Sequence, residues 1–257
     1  MTSPLRNFPE AQESQADSAA TMLAVSSKLR HNYASTYGGE SYWRTLGAID
    51  KVKNIVALCS SIPHDRILEI GSGEGAILKG LSDRNFGSGL FSIEISESSV
   101  ATIRQRNIPR VCECSLFDGH HMPFEDRKFD LAILSHVLEH TEYPRILLYE
   151  AARVAKYVFV EVPLEDTLLL KPDFVFDSTG HINFYSWKTI RRLVQTCDLQ
   201  IVSETITNPS RAVHEYCFGR RGTLKYAVRE FFFRASKRLA CELFTYHSSI
   251  LCTKTSE

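Results

Sequence analysis

The sequence lacks the features that mark several large classes of protein. It carries no net charge, since 30 Lys and Arg balance 30 Asp and Glu among its 257 residues. No overall field therefore draws it to nucleic acid or to an anionic membrane. It has no uninterrupted apolar run near the roughly 18 residues of a membrane span, and its first twenty residues lack the apolar core of a secretory signal. These absences favour a soluble, cytoplasmic protein.

Cysteine pairing motifs are also missing. No C-x-x-C pair occurs, and the number of cysteines is odd, which suits a reducing compartment better than a disulfide framework. The seven cysteines stand at positions 59, 112, 114, 197, 217, 241 and 252. With 44% hydrophobic residues the chain can bury a sizeable core, so disorder throughout is excluded.

Periodic apolar residues predict the order of secondary structure. Between residues 40 and 60 they recur at steps of three and four, which predicts a helix with one buried face. Short apolar runs then alternate with helical stretches, predicted at 76–84, 97–107, 143–155 and 186–197. The predicted strands cover 66–71, 89–96, 111–116, 129–135, 156–163, 199–207 and 243–253. This alternation predicts an α/β fold, a Rossmann-like seven-stranded, mostly parallel sheet with helices on both faces.

Composition divides the chain into a tail, a cap and one large domain. Residues 1–20 have little to bury and are predicted to be a disordered tail, followed by an N-terminal helical cap at 21–62. Residues 63–257 are predicted to form the main domain, in which 164–185 is a long loop that carries functional residues or acts as a lid.

A basic segment, residues 211–240, interrupts the pattern before the last strand. It holds eight Lys and Arg against two Glu, and it is predicted to be an inserted lid or a helix that binds a partner. The alternative is that residues 225–240 contact an anionic membrane or a protein. A packed lid is favoured because the three consecutive residues Phe231, Phe232 and Phe233 cannot share one helix face.

Three glycines, Gly71, Gly73 and Gly75, lie where the first predicted strand meets the next helix. Glycine permits positive φ and close approach of a ligand, and the helix behind the loop offers free N–H groups. The spacing differs from the dinucleotide motif G-x-G-x-x-G, whose third glycine lies one residue later. The pattern predicts a ligand-binding loop, with a plain tight turn as the alternative.

Two acids follow the loop at the ends of the next predicted strands. Glu94 stands about twenty residues further on, a position from which an acid can accept hydrogen bonds from both hydroxyls of a ribose. Asp118 follows the third strand in the string Phe-Asp-Gly. The alternatives are a solvated rim residue for Glu94 and a turn residue for Asp118.

Taken together, these strings resemble the class I S-adenosylmethionine-dependent methyltransferases, especially the small-molecule branch that includes the ubiquinone biosynthesis enzymes. The likeness covers residues 66–207. It rests on Glu-x-Gly-x-Gly-x-Gly at 69–75, the acid Glu94, Asp118 five residues before Pro-Phe, and Phe-Asp opening strand four.

The resemblance implies S-adenosyl-L-methionine as the cofactor. It implies that Gly71, Gly73 and Gly75 pack under its methionine part, that Glu69 orients the loop, and that Glu94 binds the ribose. Asp118 would accept from the adenine amino group, and the carbonyl of Ser135 would accept from the methionine ammonium. Ile95 and Phe117 complete the expected cofactor site. The cofactor carries a diol, an amino-purine and a cationic amino acid but no phosphate, so acids and carbonyls suit it better than basic residues.

A cluster of histidines follows strand four, in S-H-V-L-E-H at 135–140, and His181 comes later in Gly-His. The string matches the inverted zinc peptidase motif H-x-x-E-H. That motif needs a continuous helix, whereas here the string begins where a strand ends, so peptidase chemistry is disfavoured.

We expect His140 or His181 to act as a general base, with His136 as a further catalytic candidate, because imidazole titrates near neutral pH. Alternatively, His140 only lines the cofactor cleft and His181 caps a loop. The string is also similar to that of small-RNA 2′-O-methyltransferases, in which Glu and His residues hold magnesium. His136 stands where that family has a second Glu, and magnesium prefers oxygen ligands. No metal is therefore predicted, and a site formed by His136, Glu139, His140 and His181 is kept as the alternative.

The predicted activity is methyl transfer to a small-molecule acceptor, with O-methylation ahead of N-methylation and of RNA. Metal-assisted RNA 2′-O-methylation, a NAD-dependent dehydrogenase and a cofactor-binding protein without transferase activity are the alternatives. The absence of a nucleic-acid module argues against nucleic acid as a partner. The expected substrate walls are residues 164–185, the segment 211–240, and the N-terminal helix with Tyr33, Tyr37, Tyr42 and Trp43.

Overall fold

The computed structural model describes residues 42–171 and 180–255. The predicted tail, residues 21–41 of the predicted cap with Tyr33 and Tyr37, and residues 172–179 of the predicted loop lie outside the described residues. No helix in the described ranges is long and apolar enough to cross a bilayer.

The described chain alternates strands and helices. The helices are α1 (Tyr42–Cys59), α2 (Ala76–Asp83), α3 (Glu97–Arg106), α4 (Pro144–Val154), α5 (Trp187–Gln195), α6 (Arg211–Phe218), α7 (Gly222–Ala235) and α8 (Lys237–Leu243). The strands are β1 (Arg66–Ile70), β2 (Gly89–Glu94), β3 (Val111–Leu116), β4 (Phe129–Ser135), β5 (Ala155–Pro163), β6 (Leu199–Thr207) and β7 (His247–Lys254). Two 3₁₀ turns cover Leu138–His140 and Gly219–Arg221.

The seven strands form one sheet in the order β3-β2-β1-β4-β5-β7-β6. Strands β1 to β5 pair in parallel, and β7 enters between β5 and β6 antiparallel to both. The predicted Rossmann-like, mostly parallel sheet is confirmed. The strand order reverses between β1 and β4, and ligands of open α/β sheets bind at the carboxyl ends of the strands at such a point.

Alternation along the strands divides the core between the two faces of the sheet. On β1, Ile67 packs on the face covered by α1 and α2, whereas Leu68 packs on the opposite face with α4 and α5. All of these side chains are buried because helices cover both faces, as expected from the crossovers. Ser186 begins α5 as predicted: its side chain accepts from the backbone N–H of Thr189, and Thr189 returns the bond to Ser186.

The basic segment 211–240 contains more helix than its sequence indicated. The pattern predicted a helix in its second half, whereas the structure has α6, α7 and the start of α8. Phe232 and Phe233 pack against the core, while Phe231 is 69% exposed, so the three rings do not share a face. Tyr246, which precedes β7, stacks on Phe233 at 5.0 Å between ring centroids, and the last strand begins at His247 rather than at residue 243. The role of this segment as a lid or partner helix stays a prediction.

Candidate active site

A cleft of about 650 Å³, including its open mouth, lies where β1, β2 and β4 end. The predicted site residues that line it are Gly71, Gly73, Glu94, Ile95, Phe117, His136 and His140. Glu69, Gly75, Asp118, Ser135 and His181 lie around it without being part of its lining. No Lys or Arg is among the described residues of the lining, so the wall offers acids, imidazoles and backbone groups to a ligand.

The glycine loop adopts the backbone that its sequence predicted. Gly71, Gly73 and Gly75 have φ values of 69°, 54° and 79°, a region that other residues rarely occupy. A Cβ on Gly71 would lie 2.8 Å from a methyl of Val137, and one on Gly75 would lie 2.9 Å from Ile103. Gly71 therefore lets the loop approach the chain after β4, and Gly75 lets it pack on α3.

Glu94 connects the end of β2 to this loop. Its Oε2 accepts a hydrogen bond of 2.7 Å from the backbone N–H of Gly73, and its Oε1 accepts one of 2.7 Å from Ile95. Burial raises the pKa of the Glu94 carboxyl, and these backbone donors oppose that rise. The carboxylate therefore fixes the loop and at the same time borders the cleft.

Glu69 lies beneath the loop, inside β1, and is 2% exposed. Burial raises its pKa to about 8, although the positive charge of Lys51 acts in the opposite direction. Its Oε2 has no hydrogen-bond partner within the described ranges. Glu69 is therefore a buried acid next to the glycine loop, and its role in orienting the loop stays a prediction.

Glu74, which lies in the loop itself, was not singled out from the sequence. It is 3% exposed and forms ion pairs with Arg44 of α1, at 3.3 Å, and Arg106 of α3, at 3.7 Å. These two contacts tie the glycine loop to α1 and to α3.

Asp118 takes the turn geometry that its sequence also allowed. Its Oδ1 accepts 2.7 Å hydrogen bonds from the backbone N–H groups of His120 and His121. This turn presents the buried ring of His120 to the cleft, and both of its ring nitrogens lack a hydrogen-bond partner in the described part of the chain. His120 is thus a candidate ligand contact, whose only signal in the sequence was its place two residues after Asp118.

The residues after β4 do not continue as a helix. His136 has φ 58°, and Leu138–His140 form a single 3₁₀ turn, so the zinc peptidase geometry is not formed. The Nδ1 of His136 lies 3.1 Å from Oε1 of Glu139. Glu139 is fully buried, and burial raises the pKa of its carboxyl.

His140 and His181 meet beside the cleft, with ring centroids 4.7 Å apart. Nδ1 of His140 donates to the carbonyl oxygen of Gly180 at 3.2 Å, and Nδ1 of His181 lies 2.6 Å from Oε2 of Glu165. Each ring is therefore oriented through one nitrogen. Burial lowers the pKa of His140, which favours the neutral imidazole that a general base requires.

Backbone hydrogen bonds hold the chain around His181 against the 3₁₀ turn. The N–H groups of Ile182 and Asn183 donate to the carbonyl oxygen of Glu139 at 2.8 and 3.0 Å. The side chain of Asn183 adds donors to the carbonyls of Leu138 and Thr141. The pairing of two histidines distant in sequence is thus fixed by the main chain.

The four residues of the alternative metal site divide into two groups. Glu139, His140 and His181 offer ligand atoms that all lie within 4.8 Å of one another. His136 instead belongs to a second group of this kind, with Glu161 and His247.

Three polar residues of this region were missed in the sequence. Glu161 lies near the end of β5 and is fully buried, His247 begins β7, and Lys51 lies on α1. Lys51 is attracted to Glu161, Glu139 and Glu69, while burial lowers its pKa. A Glu within the apolar run KYVFVEVP was the signal for Glu161, because a buried carboxylate requires partners. Lys51 and His247 had no local signal.

Comparison with known proteins agrees with this geometry. Residues 68–157, which span β1 to β5 with the glycine loop and Glu94, match a protein family described as a methyltransferase domain. This domain is a class I S-adenosylmethionine-dependent methyltransferase. The family predicted from the sequence is therefore confirmed.

The curated relatives of this chain include a methyltransferase of quinone biosynthesis. The ubiquinone/menaquinone biosynthesis C-methyltransferase UbiE of Neisseria gonorrhoeae is 29% identical over 129 residues, which cover 49% of this chain and 51% of UbiE. The chain spans about half the length of the curated relatives it matches.

Among solved structures, the [4+2]-cyclase SpnF superposes with a TM-score of 0.58 at 17% identity and covers 81% of each chain. Phosphoethanolamine N-methyltransferase 2 of Haemonchus contortus, solved with phosphomonomethylethanolamine and S-adenosylhomocysteine, gives a TM-score of 0.57 at 12% identity. The superposition covers 87% of this chain and 61% of that protein. At these identities the likeness shows the fold alone.

Proposed function

We propose that the chain binds S-adenosylmethionine in the cleft and transfers its methyl group to a small-molecule acceptor. The observation that carries the proposal is the cleft itself, in which the glycine loop and Glu94 form a wall with no Lys or Arg among its described residues. Such a wall suits a cationic ligand with a diol. The dehydrogenase alternative is disfavoured because the third glycine of the loop lies one residue earlier than in the dinucleotide motif G-x-G-x-x-G.

The cofactor fits the groups that this wall presents. Gly71 and Gly73 would lie under the methionine part, Glu94 would accept from the ribose hydroxyls, and Phe117 would cover the adenine. The family and the S-adenosylhomocysteine in the Haemonchus contortus enzyme support this assignment. When bound, this cofactor supplies a methyl group already activated on a sulfonium.

The protein's own contribution is to align the acceptor, exclude water and accept a proton. Alignment in a dry site provides most of the rate, and a positioned base adds about 10²–10⁴-fold. His140 is the base we propose, because it lines the cleft and its ring is held by the carbonyl of Gly180. His181, held by Glu165, is the competing candidate.

For the acceptor we propose a small molecule with a hydroxyl group, with an amine second and RNA third. A neutral imidazole beside the cleft can take a proton from a hydroxyl or an amine. UbiE is named for C-methylation, so activated carbon acids belong in the same screen.

A metal-assisted reaction is the second candidate. It is favoured by the convergence of Glu139, His140 and His181, three of the four residues expected for it. Full activity in a chelator would exclude this route, whereas loss in chelator and recovery with a divalent ion would favour it.

Calorimetric titration with S-adenosylmethionine and with NADH tests the cofactor. Binding of NADH alone would contradict the proposal. A metabolite extract and an RNA fraction, each incubated with methyl-labelled cofactor, then test the acceptor, and label confined to RNA would refute the small-molecule choice. If the cofactor binds and no fraction is labelled, the protein is a cofactor-binding module. SpnF, a cyclase of the same fold, illustrates that this fold does not dictate transfer.

A further inference from the structure

A second cluster of ligating side chains lies apart from the histidine pair at the cleft. His136 follows β4, Glu161 lies near the end of β5, and His247 begins β7. Strand register holds them together, since Ser135 pairs with Glu161 and Pro163 pairs with His247. One ligand atom from each of the three lies within 4.8 Å of the others. The cluster is therefore built by the sheet rather than by loops.

Each of the two imidazoles of this cluster has one buried ring nitrogen that makes no hydrogen bond to a described residue. Nε2 of His136 and Nδ1 of His247 are buried and have no hydrogen-bond partner in the described ranges. The rings lie 4.6 Å apart at 73°, so they do not stack. A buried polar atom without a partner is unfavourable because it has given up its hydrogen bonds to water. A ligand between the rings would remove that cost.

The spacing of the ligand atoms suits a metal ion. Nε2 of His136 lies 3.6 Å from Oε1 of Glu161. Two ligands of a tetrahedral ion with bonds of about 2.1 Å lie about 3.4 Å apart.

The surroundings of the cluster resemble the hydrogen-bonded shell that orients metal ligands. Oε2 of Glu161 accepts from the side chains of Asn54, at 2.8 Å, and Ser249, at 2.6 Å. The other nitrogen of His136 lies 3.1 Å from a Glu139 oxygen. Metal-ligating histidines commonly meet a carboxylate through their second nitrogen, and ligating carboxylates are themselves hydrogen-bonded.

The charge balance also favours a cation. Three buried acids, Glu69, Glu139 and Glu161, surround Lys51, and all three attract it. A dication bound beside them would favour their ionised forms.

We propose that His136, Glu161 and His247 bind a divalent transition-metal ion of the zinc type. Two imidazoles and one carboxylate are a ligand set that Zn²⁺ accepts, whereas Mg²⁺ requires mainly oxygen. His136 also lines the cleft, so a further coordination position can face the cleft. This site differs from the group of Glu139, His140 and His181 described above.

The test uses the full chain, stripped of metal, with exposed Cys112 and Cys217 replaced by Ser so that surface thiols do not bind the ion. Co²⁺ is titrated while its visible absorption is recorded, and Zn²⁺ is then added as a competitor. We expect one equivalent to bind and Zn²⁺ to displace it. No visible band and no bound Zn²⁺ would overturn the proposal.

Variants then locate the ion. His247→Gln and Glu161→Gln should weaken binding by about 100-fold or more, and Ser249→Ala, a milder change outside the ligand set, by about 10-fold. His181→Gln is the matched control and should bind as the parent does. Circular dichroism monitors folding, and Ser249→Ala keeps the test decisive if a ligand variant fails to fold. Loss of binding in His181→Gln with retention in His247→Gln would place the ion in the other group and overturn the proposal.

Discussion

Glu69→Gln should make the protein more stable, by an amount that depends on pH. The carboxyl has an ordinary pKa of 4.5, which burial raises to about 8 in the folded protein. At about 1.4 kcal/mol per pH unit, this rise corresponds to about 5 kcal/mol of folding free energy. The attraction of Lys51 is already contained in the pKa of about 8, so removing Glu69 does not add it again.

The sign of the effect follows from proton linkage. Below pH 4.5 Glu69 is protonated in both the folded and the unfolded chain, and it imposes no penalty. As pH rises from 4.5 to about 8, the unfolded chain loses the proton while the folded chain retains it, so the wild type loses stability relative to the variant. Glutamine keeps the shape of the neutral carboxyl and has no such dependence. The difference in stability between the variant and the wild type should level off above pH 8.

Urea unfolding of wild type and Glu69→Gln at pH 5, 7 and 8.5 measures this gap as a difference in free energy of unfolding. The matched control is Glu125→Gln, which removes an exposed carboxylate and should not open the same gap. A gap that is constant with pH, or larger at pH 5 than at pH 8.5, would refute the assignment of Glu69 as a buried, desolvated acid.

Three further predictions concern the loop and the site. Gly71→Ala should lower the free energy of unfolding by about 2–3 kcal/mol, because Gly71 has a positive φ and an added Cβ would lie 2.8 Å from a methyl of Val137. The control Gly47→Ala, in an open helical position, should raise the free energy of unfolding by about 1 kcal/mol in the same urea assay. Glu94→Gln should weaken S-adenosylmethionine about 100-fold by calorimetry, since two charge-assisted bonds to the ribose are lost; a change under threefold would contradict that role. His140→Gln should lower kcat at least about tenfold with unchanged cofactor affinity. The wild type is expected to lose activity as pH falls below 6.5, and the variant should not; an unchanged pH profile would exclude His140 as the base.

Much of the fold could be predicted because each element carries its own local pattern. The runs that form β3, β4 and β6 end where turn residues or the next helical pattern begin, and their predicted bounds match the structure. The start of β7 was misplaced because Leu243, Phe244 and Tyr246 extend the apolar pattern of the strand. They serve a different purpose there, since Phe244 and Tyr246 pack against α7.

The site was predictable only where its residues follow one another along the chain. The glycine loop and Glu94 belong to a single βαβ unit, so their proximity follows from local connectivity. Lys51, Glu161 and His247 come from α1, β5 and β7, and only the strand order brings them together. The strand order cannot be read from the sequence. The sequence therefore could not indicate that Lys51 and His247, so far apart in the chain, lie in one buried group of charged and polar residues.

The entry of β7 between β5 and β6 sets the order in which a growing chain can complete the site. As the chain leaves the ribosome, β6 emerges before β7, the strand with which it pairs in the described sheet. Residues 208–246 must be made, and the chain must reverse, before β7 can fill the gap. Until then Glu161 lies on an open strand edge, a surface that invites pairing with other chains. Glu161 therefore gains its hydrogen bond from Ser249 only once β7 has been made, and a chain interrupted before β7 would carry an exposed edge instead of a finished site.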